Sequence, residues 1–478
     1  MVSPPRPGNL EIDMPSGTNP RPDIPTLRRW DSDHLWHPFS SPEADPSDPM
    51  LIIDHADGSW LVDTEGNRYL DGVSSLWCNV HGHRVPELDN AIRFQLDKVA
   101  HSTLLGVSHA PAIMLSRRLV EIAPPGLTRV FFSDNGATAV ESALKMAFQF
   151  HLQRPDPKPG KSLFLSLGGA YHGDTLGAVG VGDLGLFHDR FGPLRVPALH
   201  ACQPHCYRCP LGLSRPGCAM ACPAEAEKLI ETHASRLAAV VIEPGMQGAA
   251  GMIPLPEGYL RRIRAATTAH DVLLIADEVA TGFHRTGPLF ACDAEGVVPD
   301  FLCLAKGLTA GYLPLAATLT TEIVHRAFRG RPEEGRGFYH GHTYTGNPLA
   351  AAVALANLDL VMAPGFREGV THKADVLGKE LLSLSNLSCV GDIRQKGLMA
   401  GVEVVSHKMD RRPFPPALGV GRRICRMVRD RGVLLRPLGD TVVVMPPLAV
   451  STDEIVTICR RLKESLEVFS AEISGGAR

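Results

Sequence analysis

Two stretches of this chain decide its fold: residues 273–279 read LLIADEV, and residues 301–314 read FLCLAKGLTAGYLP. Each begins as a short continuous apolar run, which is typical of a β-strand buried on both faces. The first run ends at Asp277, and the second ends at Lys306, directly before Gly307. Ligands of parallel sheets bind beyond the carboxyl ends of the strands, so these two side chains mark the first candidate site.

Similar apolar runs recur on both sides of this pair. They read RVFFSDNG from residue 129, SLFLSLGGAYHG from 162, LAAVVIEPG from 237 and LAATLTT from 315. Helical stretches lie between several of them, for example at residues 137–150 and 225–236. The alternation predicts an α/β fold with a mainly parallel central sheet.

The two ends of the chain differ from this alternating core. Residues 1–26 are rich in Pro, Gly, Asn and Asp, and we expect a disordered tail there. Residues 27–95 and 346–478 mix strands with helices and predict a smaller α+β domain, built from both chain ends, beside a large domain at 96–345. Helix starts are indicated at Asn347-Pro348 and at the capping box Ser451-x-x-Glu454.

Composition limits the class of protein. The 478 residues carry a formal net charge of -3, and 44% of them are hydrophobic. Such a balance predicts no nucleic-acid partner. No apolar run approaches the roughly 20 residues that span a bilayer, and the N-terminus lacks a signal peptide. We therefore expect a cytoplasmic metabolic protein without a membrane partner.

Lys306 and Asp277 together suit a pyridoxal-phosphate (PLP) site. A half-buried lysine has a lowered pKa and a more nucleophilic amine, which can form a Schiff base. A carboxylate on a neighbouring strand end can keep a pyridinium nitrogen protonated. Taken singly, Lys306 would more often be a surface residue, and Asp277 a helix cap or an ion-pair partner.

Two further strand ends fit the same cofactor. In FFSDNGATAV, residues 131–140, a strand ends at Ser133 and a helix begins near Ala137, so Gly136 and Ala137 offer a positive helix end to a phosphate. In GGAYHGDT, residues 168–175, Tyr171 could stack on a flat ring, although ordinary packing explains an aromatic residue there equally well.

From these motifs onward the chain resembles the class III aminotransferases, which are fold type I PLP enzymes. ADEVATGFHRTG, residues 276–287, is followed 29 residues after Asp277 by Lys306 in AKGLTAGYLP, and HGHTYTGNPLA and IEPGMQGAAGM also match. One departure is His284, where the family commonly has Gly, and Arg285 is therefore given no role.

The motifs and the resemblance together imply a set of site residues. Catalysis would involve Lys306, Asp277 and Tyr171. The cofactor would contact Gly136, Ala137, Tyr171, His172, Glu243, Asp277, Lys306 and Thr343, with Gln247 nearby. In the family the threonine at Thr343 reaches the phosphate of the other subunit's cofactor, so the resemblance implies a homodimer with shared active sites.

Further stretches resemble the branch of this class that aminates 8-amino-7-oxononanoate, giving 7,8-diaminononanoate for biotin biosynthesis. They are HLWHPFS (34–40), SSLWCNVHGH (74–83), AHSTLLG (100–106), AYHGDT (170–175) and LLRPLGD (434–440). The resemblance implies a substrate pocket with Phe39, Trp77, Tyr171 and Gly341, and a substrate carboxylate held by Arg436.

The amino donor stays open between S-adenosylmethionine and lysine. Members that use S-adenosylmethionine typically carry Tyr at the position of Phe39 and Trp at that of Leu76. Phe39 lacks the hydroxyl that could bind a polar donor.

Five of the eleven cysteines crowd into residues 202–222. Cys206-x2-Cys209 and Cys218-x3-Cys222 have the spacing of a four-thiolate metal site, for zinc or an iron–sulfur cluster. A loop with free thiols is the alternative.

Three other functions are alternatives to the biotin-pathway hypothesis. The nearest is another ω-aminotransferase, acting on 4-aminobutyrate, ornithine or a diamine. A PLP-sensing transcription regulator would need a helix-turn-helix that residues 1–26 are too short and too Pro-rich to form. A metal-binding module on a dead enzyme core disagrees with the presence of both Lys306 and Asp277.

Overall fold

The structure is a computed structural model that describes residues 22–40, 48 and 50–475. The strands are β1 (Ile53–Asp57), β2 (Trp60–Asp63), β3 (Arg68–Asp71), β4 (Leu127–Ser133), β5 (Leu163–Leu167), β6 (Ala198–Ala201), β7 (Leu237–Ile242), β8 (Met246–Gln247), β9 (Ile253–Pro254), β10 (Leu273–Asp277), β11 (Phe301–Leu304), β12 (Ala316–Thr321), β13 (Val390–Lys396), β14 (Met399–Val404), β15 (Val433–Leu434), β16 (Arg436–Leu438) and β17 (Thr441–Val444).

The α-helices are α1 (Ile24–His34), α2 (Ser74–Trp77), α3 (Pro86–Leu96), α4 (Ala110–Ile122), α5 (Gly136–Gln153), α6 (Leu176–Val181), α7 (Gly185–His188), α8 (Ala221–His233), α9 (Tyr259–Ala269), α10 (Glu322–Ala327), α11 (Pro348–Val361), α12 (Phe366–Leu382), α13 (Val420–Arg429) and α14 (Thr452–Gly475). Short 3-10 helices, including Lys306–Thr309, join several of these elements.

The described residues form two compact units. The first contains the described residues up to His55 together with Val62–Asn67, and the second contains Ala56–Leu61 and the chain from Arg68 onward. Most of the predicted disordered tail, residues 1–21, lies outside the described residues, and α1 begins at Ile24, inside the predicted tail. The predicted domain boundaries near 95 and 345 stay predictions.

The core of the second unit is a seven-stranded sheet in the order β4-β12-β11-β10-β7-β5-β6. Neighbouring strands run parallel except β12, which is antiparallel to both β11 and β4. Every residue of β7 and β11 is buried, and each fully buried Leu, Ile or Phe side chain contributes roughly 1.5–3 kcal/mol. The prediction of a mainly parallel α/β sheet is confirmed.

The register of this sheet brings strand ends together. On β10, Asp277 pairs with Cys303 of β11, so β11 continues past Asp277 toward Lys306. On the other side, Ala276 pairs with Ile242 of β7, which leaves Glu243 just beyond that strand. Side chains predicted to carry the chemistry therefore leave the sheet at one edge.

The C-terminal part is built around a four-stranded antiparallel sheet, β13-β14-β17-β16. Two predicted helix starts are confirmed. The side chain of Asn347 accepts hydrogen bonds from the N–H groups of Leu349 and Ala350 at 3.0 and 3.1 Å. Ser451 and Glu454 form the capping box: the Ser451 N–H donates to the Glu454 carboxylate, and the Glu454 N–H donates to Ser451 Oγ.

Membrane-spanning potential was assessed for the described residues. No single helix among them is both long and apolar enough to cross a bilayer. Only α11 taken with the helical segment from Phe366 to Asn386 meets the length and composition requirement, and this pair is bent by 74°.

Candidate active site

Lys306 lies on a tight turn directly after β11. Its φ of +42° is in the left-handed region, which is uncommon for a residue with a side chain. The 3-10 helix Lys306–Thr309 begins here, with the Leu308 N–H donating to the Ala305 carbonyl at 2.8 Å. Burial lowers the pKa of the Lys306 ammonium, and the nearby carboxylate of Asp277 opposes that shift. The turn thus presents an amine that loses its proton more readily than a surface lysine.

Asp277 and His172 form a buried pair at the end of β10. His172 Nδ1 lies 2.8 Å from Asp277 Oδ2, and the two residues are 3% and 5% exposed. The other carboxylate oxygen accepts a hydrogen bond from the Val279 N–H at 3.1 Å. Since a buried carboxylate needs partners, these contacts hold Asp277 in one orientation.

Glu243 is a second buried carboxylate at the same edge. Its two oxygens accept hydrogen bonds from the N–H groups of Tyr171, at 3.3 Å, and Gly248, at 2.9 Å. Burial raises the pKa of Glu243 to about 7, an effect that the Asp277 charge increases and that His172 opposes. Near neutral pH this side chain can therefore exchange a proton. Nearby, Gln247 donates to the Gly168 carbonyl at 3.1 Å.

The turn between β4 and α5 has the features of an anion site. Asn135 caps α5 by accepting the Thr138 N–H at 3.1 Å, and helix geometry leaves the N–H groups of Gly136 and Ala137 without an intrahelical acceptor. A Cβ on Gly136 would lie 2.6 Å from a methyl group of Val279, so only glycine fits this close approach. Helix α5 is long enough, at 18 residues, to hold a positive end at this turn.

Trp77 lies on a strained loop that faces the lysine. Its φ is +63°, and Ser74 and Ser75 are also left-handed. The Lys306 ammonium lies 5.0 Å from the centroid of the indole ring. Such backbone conformations persist only where surrounding contacts over-determine them.

Arg285, for which no role was predicted, provides such contacts. It is 3% exposed and donates to the Pro446 carbonyl at 2.6 Å, the Asn79 carbonyl at 3.2 Å and Ser74 Oγ at 3.3 Å. Burial lowers the pKa of its guanidinium to about 10. The side chain thus ties the Trp77 loop to the C-terminal part of the chain.

Tyr171 has two partners that the sequence reasoning missed. Its hydroxyl donates to Asp174 at 2.7 Å, and its ring lies parallel to that of His188, with centroids 6.0 Å apart. Burial, followed by the hydrogen bond to Asp174, raises the pKa of the phenol. Asp174 follows Tyr171 by three residues in AYHGDT, so a polar partner could have been inferred from that spacing.

Three predicted residues are not brought into this cluster by any described contact. Gly341 and Thr343 lie exposed on the loop before α11, and Arg436 is exposed on β16. Phe39 belongs to the first unit and is 54% exposed. Their predicted roles stay predictions.

The structure does not support the predicted metal site. Cys206, Cys209, Cys218 and Cys222 do line one cavity of about 30 Å³. However, among the residues that the structure describes, which include all of 202–222, no group of three or more His, Cys, Asp or Glu side chains could hold a metal ion. Burial also raises the pKa of the Cys222 thiol to about 11, which disfavours the thiolate that metals require. The alternative of free thiols fits better.

The residues at the sheet edge fit PLP. Within the described part of the chain, Ser133 Oγ, His172 Nε2 and Trp77 Nε1 are buried without a hydrogen-bond partner, which is unusual unless another group satisfies them. A buried amine, a carboxylate and a helix N-terminus match the aldehyde, the ring nitrogen and the phosphate of that cofactor.

Comparisons with known proteins agree with this chemistry. The family model "Aminotransferase class-III" matches residues 42–466. The adenosylmethionine-8-amino-7-oxononanoate aminotransferase of Geobacter sulfurreducens is 50% identical over 450 residues, covering 94% of this chain and 99% of that protein. The protein of the same name from Nitratidesulfovibrio vulgaris is 51% identical, covering 92% and 81%.

Solved structures give the same result. The adenosylmethionine-8-amino-7-oxononanoate aminotransferase of Methanocaldococcus jannaschii superposes with a TM-score of 0.88 at 42% identity, covering 93% of this chain and 99% of that one. An amine transaminase from an uncultivated Pseudomonas species, in its PLP-bound form, gives 0.86 at 38% identity, covering 91% and 98%. On this similarity of sequence, fold and site, the chain belongs to the class III aminotransferases.

Proposed function

We propose that this enzyme transfers an amino group to 8-amino-7-oxononanoate and so makes 7,8-diaminononanoate for biotin biosynthesis. The observation that carries the proposal is the meeting of Lys306 with the Asp277–His172 pair at one sheet edge, in a chain 50% identical to a protein named for this reaction. The name of that relative also favours S-adenosylmethionine as the amino donor, whereas Phe39 keeps lysine as the second candidate.

In this proposal PLP accepts electrons from the reacting carbon and carries the amino group from donor to acceptor. Lys306 would hold the cofactor through its amine and would move a proton to and from the reacting carbon of the substrate. Asp277 holds the proton on the ring nitrogen, and His172 holds Asp277. The N–H groups of Gly136 and Ala137 bind the phosphate.

The substrate side of the proposal uses residues outside the sheet edge. Trp77 supplies an apolar wall next to Lys306, which suits the aliphatic chain of an oxononanoate. Tyr171, with its hydroxyl held by Asp174, would stack on the cofactor ring and contact the substrate. Arg436 would clamp the substrate carboxylate with two parallel hydrogen bonds, and its exposed guanidinium is available for that.

We further infer a homodimer with shared sites. Leu105, Val107, Tyr339 and Tyr344 are 88%, 55%, 79% and 62% exposed. The two segments that carry them meet where the ring of Tyr344 packs on His101, with 4.8 Å between centroids. Large apolar and aromatic side chains exposed on adjoining segments are typical of a subunit interface. Thr343, on the same loop, would then reach the cofactor of the neighbouring subunit.

A cytoplasmic location is part of the proposal. All eleven cysteines are free, although several lie close together in residues 202–222. Free thiols in such number are typical of proteins kept in a reducing compartment.

A half-reaction tests the acceptor directly. The purified enzyme is converted to its pyridoxamine-phosphate form, 8-amino-7-oxononanoate is added, and the cofactor absorbance and the product mass are followed. We expect rapid return of the lysine-linked spectrum with formation of 7,8-diaminononanoate. The reverse half-reaction with S-adenosylmethionine or lysine names the donor.

The second candidate is a general ω-aminotransferase, which the 38% identity to a solved amine transaminase favours. Turnover of 4-aminobutyrate, ornithine or a diamine, with no reaction of 8-amino-7-oxononanoate on cofactor-loaded enzyme, would replace the biotin-pathway proposal with this one.

A further inference from the structure

One buried polar residue is not explained by the proposed chemistry. Asn357 lies on α11 in the otherwise apolar run LAAAVALANL, and it is 0% exposed. Burying an amide is costly unless its hydrogen bonds are made. Its Nδ2 donates to the carbonyls of Gly307 and Leu308 at 2.8 and 2.9 Å. Both carbonyls belong to the 3-10 helix that begins at Lys306.

These two bonds settle the orientation of the amide. Both hydrogens of Nδ2 are donated to carbonyls. The second polar atom of the amide is therefore the oxygen Oδ1, which can only accept a hydrogen bond. His81 Nε2 lies 2.9 Å from Oδ1 and must carry the hydrogen. Burial lowers the pKa of His81 to about 4, so the ring is neutral with one N–H near neutral pH. Chain segments at 81, 307–308 and 357 are thereby joined by one amide.

The turn that this amide binds is strained. Lys306 is left-handed at φ +42°, and Ala310 at φ +54° closes the same 3-10 helix. A Cβ on Gly311 would lie 3.0 Å from the carbonyl carbon of Cys78, so the far side of the turn also abuts the chain that carries Trp77. The turn is therefore held between α11 on one side and residues 78–81 on the other.

We propose that Asn357, oriented by His81, is a positioning residue that fixes the Lys306 turn and thereby the direction of the lysine amine. Proton transfer depends steeply on geometry, and a displacement of about 1 Å can cost on the order of 10²-fold in rate. Loss of the amide frees two carbonyls, and the strained turn then relaxes toward ordinary backbone conformations.

The inference rests on the proposed role of Lys306, and the experiment separates the two. Asn357→Leu removes both hydrogen-bonding atoms at nearly constant volume. Leu358→Ala is the matched control, because Leu358 is the next residue of α11, is 0% exposed and makes no side-chain hydrogen bond. Both variants weaken the same helix, and only the first frees the turn.

Two readouts are measured for each variant. We expect Asn357→Leu to lower kcat about 10- to 100-fold with KM values within about twofold, and Leu358→Ala to keep kcat near wild type at a temperature where it stays folded. In the cofactor-free protein, amide hydrogen exchange of residues 307–311 should accelerate in Asn357→Leu alone.

Substitutions at His81 complete the test. His81→Gln keeps an N–H donor near the position of Nε2 and should retain most activity, whereas His81→Leu should approach Asn357→Leu. The double variant His81→Leu/Asn357→Leu should be no worse than Asn357→Leu alone.

A folded Asn357→Leu protein with wild-type kcat and unchanged exchange at 307–311 overturns the positioning role. Hydrogen exchange at 307–311 that accelerates equally in Asn357→Leu and Leu358→Ala would also overturn it, because α11 would then be loosened as a whole. Failure of the wild-type protein to link PLP to Lys306, read by mass after borohydride reduction, would instead overturn the proposed function.

Discussion

The Lys306–Asp277 site and the cysteine-rich segment 202–222 differ in how their reactive groups are held. At the site, the carboxylates of Asp277 and Glu243 are buried and accept hydrogen bonds, and Asp277 also forms the 2.8 Å pair with His172. In the segment, four of the five thiols line a cavity. The cation–π contacts and the ion pair described next are made by Tyr207 and Arg208, which do not line it. The guanidinium groups of Arg208 and Arg411 both contact the ring of Tyr207, at 5.3 and 5.0 Å from its centroid.

The difference shows what a cluster of reactive residues needs. Charged groups can be buried only where the fold brings them partners, and the parallel sheet does this at its carboxyl edge. Neutral thiols need no partner, so close cysteine spacing does not by itself create a metal site. The segment is instead attached to the C-terminal part of the chain. Arg208 forms an ion pair with Glu403 of β14, and Glu403 is also bound by Arg394.

The largest effect is expected when Lys306 is replaced. Lys306→Ala removes the amine that we propose links the cofactor and moves the proton, and we expect transamination to fall by about 10⁴-fold or more. Steady-state rates with 8-amino-7-oxononanoate measure it. Lys228→Ala, at an exposed position on α8, serves as the control with unchanged rate. Retention of more than a tenth of the activity in Lys306→Ala would contradict the assignment of the site.

The second-largest effect is expected for Asp277→Asn. It removes the negative charge that we propose faces the ring nitrogen, and we expect a loss of about 10²- to 10³-fold in kcat. Asp277 raises the pKa of Lys306 against the effect of burial, so the variant should lower that pKa further. Labelling of Lys306 by an amine reagent in the cofactor-free protein, followed against pH, should therefore reach its midpoint at lower pH. A midpoint unmoved or raised would disprove the electrostatic coupling.

Glu278→Gln compares two acids that are neighbours in the sequence. Glu278 directly follows Asp277, but its side chain lies away from the candidate active site. Its carboxylate binds the N–H groups of Ala291 and Cys292 at 2.6 and 2.8 Å. Burial raises the pKa of Glu278 from 4.5 to about 7. The folded state therefore binds a proton more tightly than the unfolded state, and stability is lost as the pH rises from 4.5 through 7.

This loss amounts to at most about 4 kcal/mol, since each pKa unit corresponds to about 1.4 kcal/mol. The Glu278→Gln variant should lack this part of the pH dependence, with turnover near wild type. Urea unfolding of both proteins at pH 5 and pH 8 measures it. Identical pH slopes for variant and wild type would refute the buried-proton explanation.

The smallest effect is expected in the cysteine-rich segment. Cys206→Ser/Cys209→Ser should leave activity within about twofold and thermal stability nearly unchanged, as is usual for substitutions at partly exposed positions. Cys303→Ser is the contrasting control, because Cys303 is buried on β11 beside Asp277, and its loss should cost about 1 kcal/mol. Stoichiometric zinc or iron in the purified wild-type protein, lost in the double variant, would restore the metal hypothesis.

The features that could be predicted from the sequence are those with local causes. The strands at 237–242 and 301–304 are continuous apolar runs, and the helix starts at Asn347 and Ser451 depend on side chains within four residues. The position of Lys306 and Asp277 at one sheet edge follows from the rule for parallel strands.

The features that could not be predicted depend on distant partners. The direction of β12 is not encoded in its composition, because LAATLTT pairs equally well either way. Asn357 binds a carbonyl 50 residues away, and Arg285 binds carbonyls 161 and 206 residues away. Only a lone amide in an apolar helix, or an arginine between buried segments, signals that such partners exist.

The bond between Asn357 and the Lys306 turn also has a consequence for synthesis of the chain. Domains form from the N-terminus onward as the ribosome adds residues. A nascent chain that ends near residue 345 already contains Lys306, Asp277 and the whole central sheet, yet it lacks α11 and the carbonyl of Pro446 that binds Arg285. The Lys306 turn therefore gains its bonds to Asn357 only after α11 has emerged and packed, and Arg285 gains its bond to Pro446 later still, so incomplete chains carry Lys306 without its final surroundings.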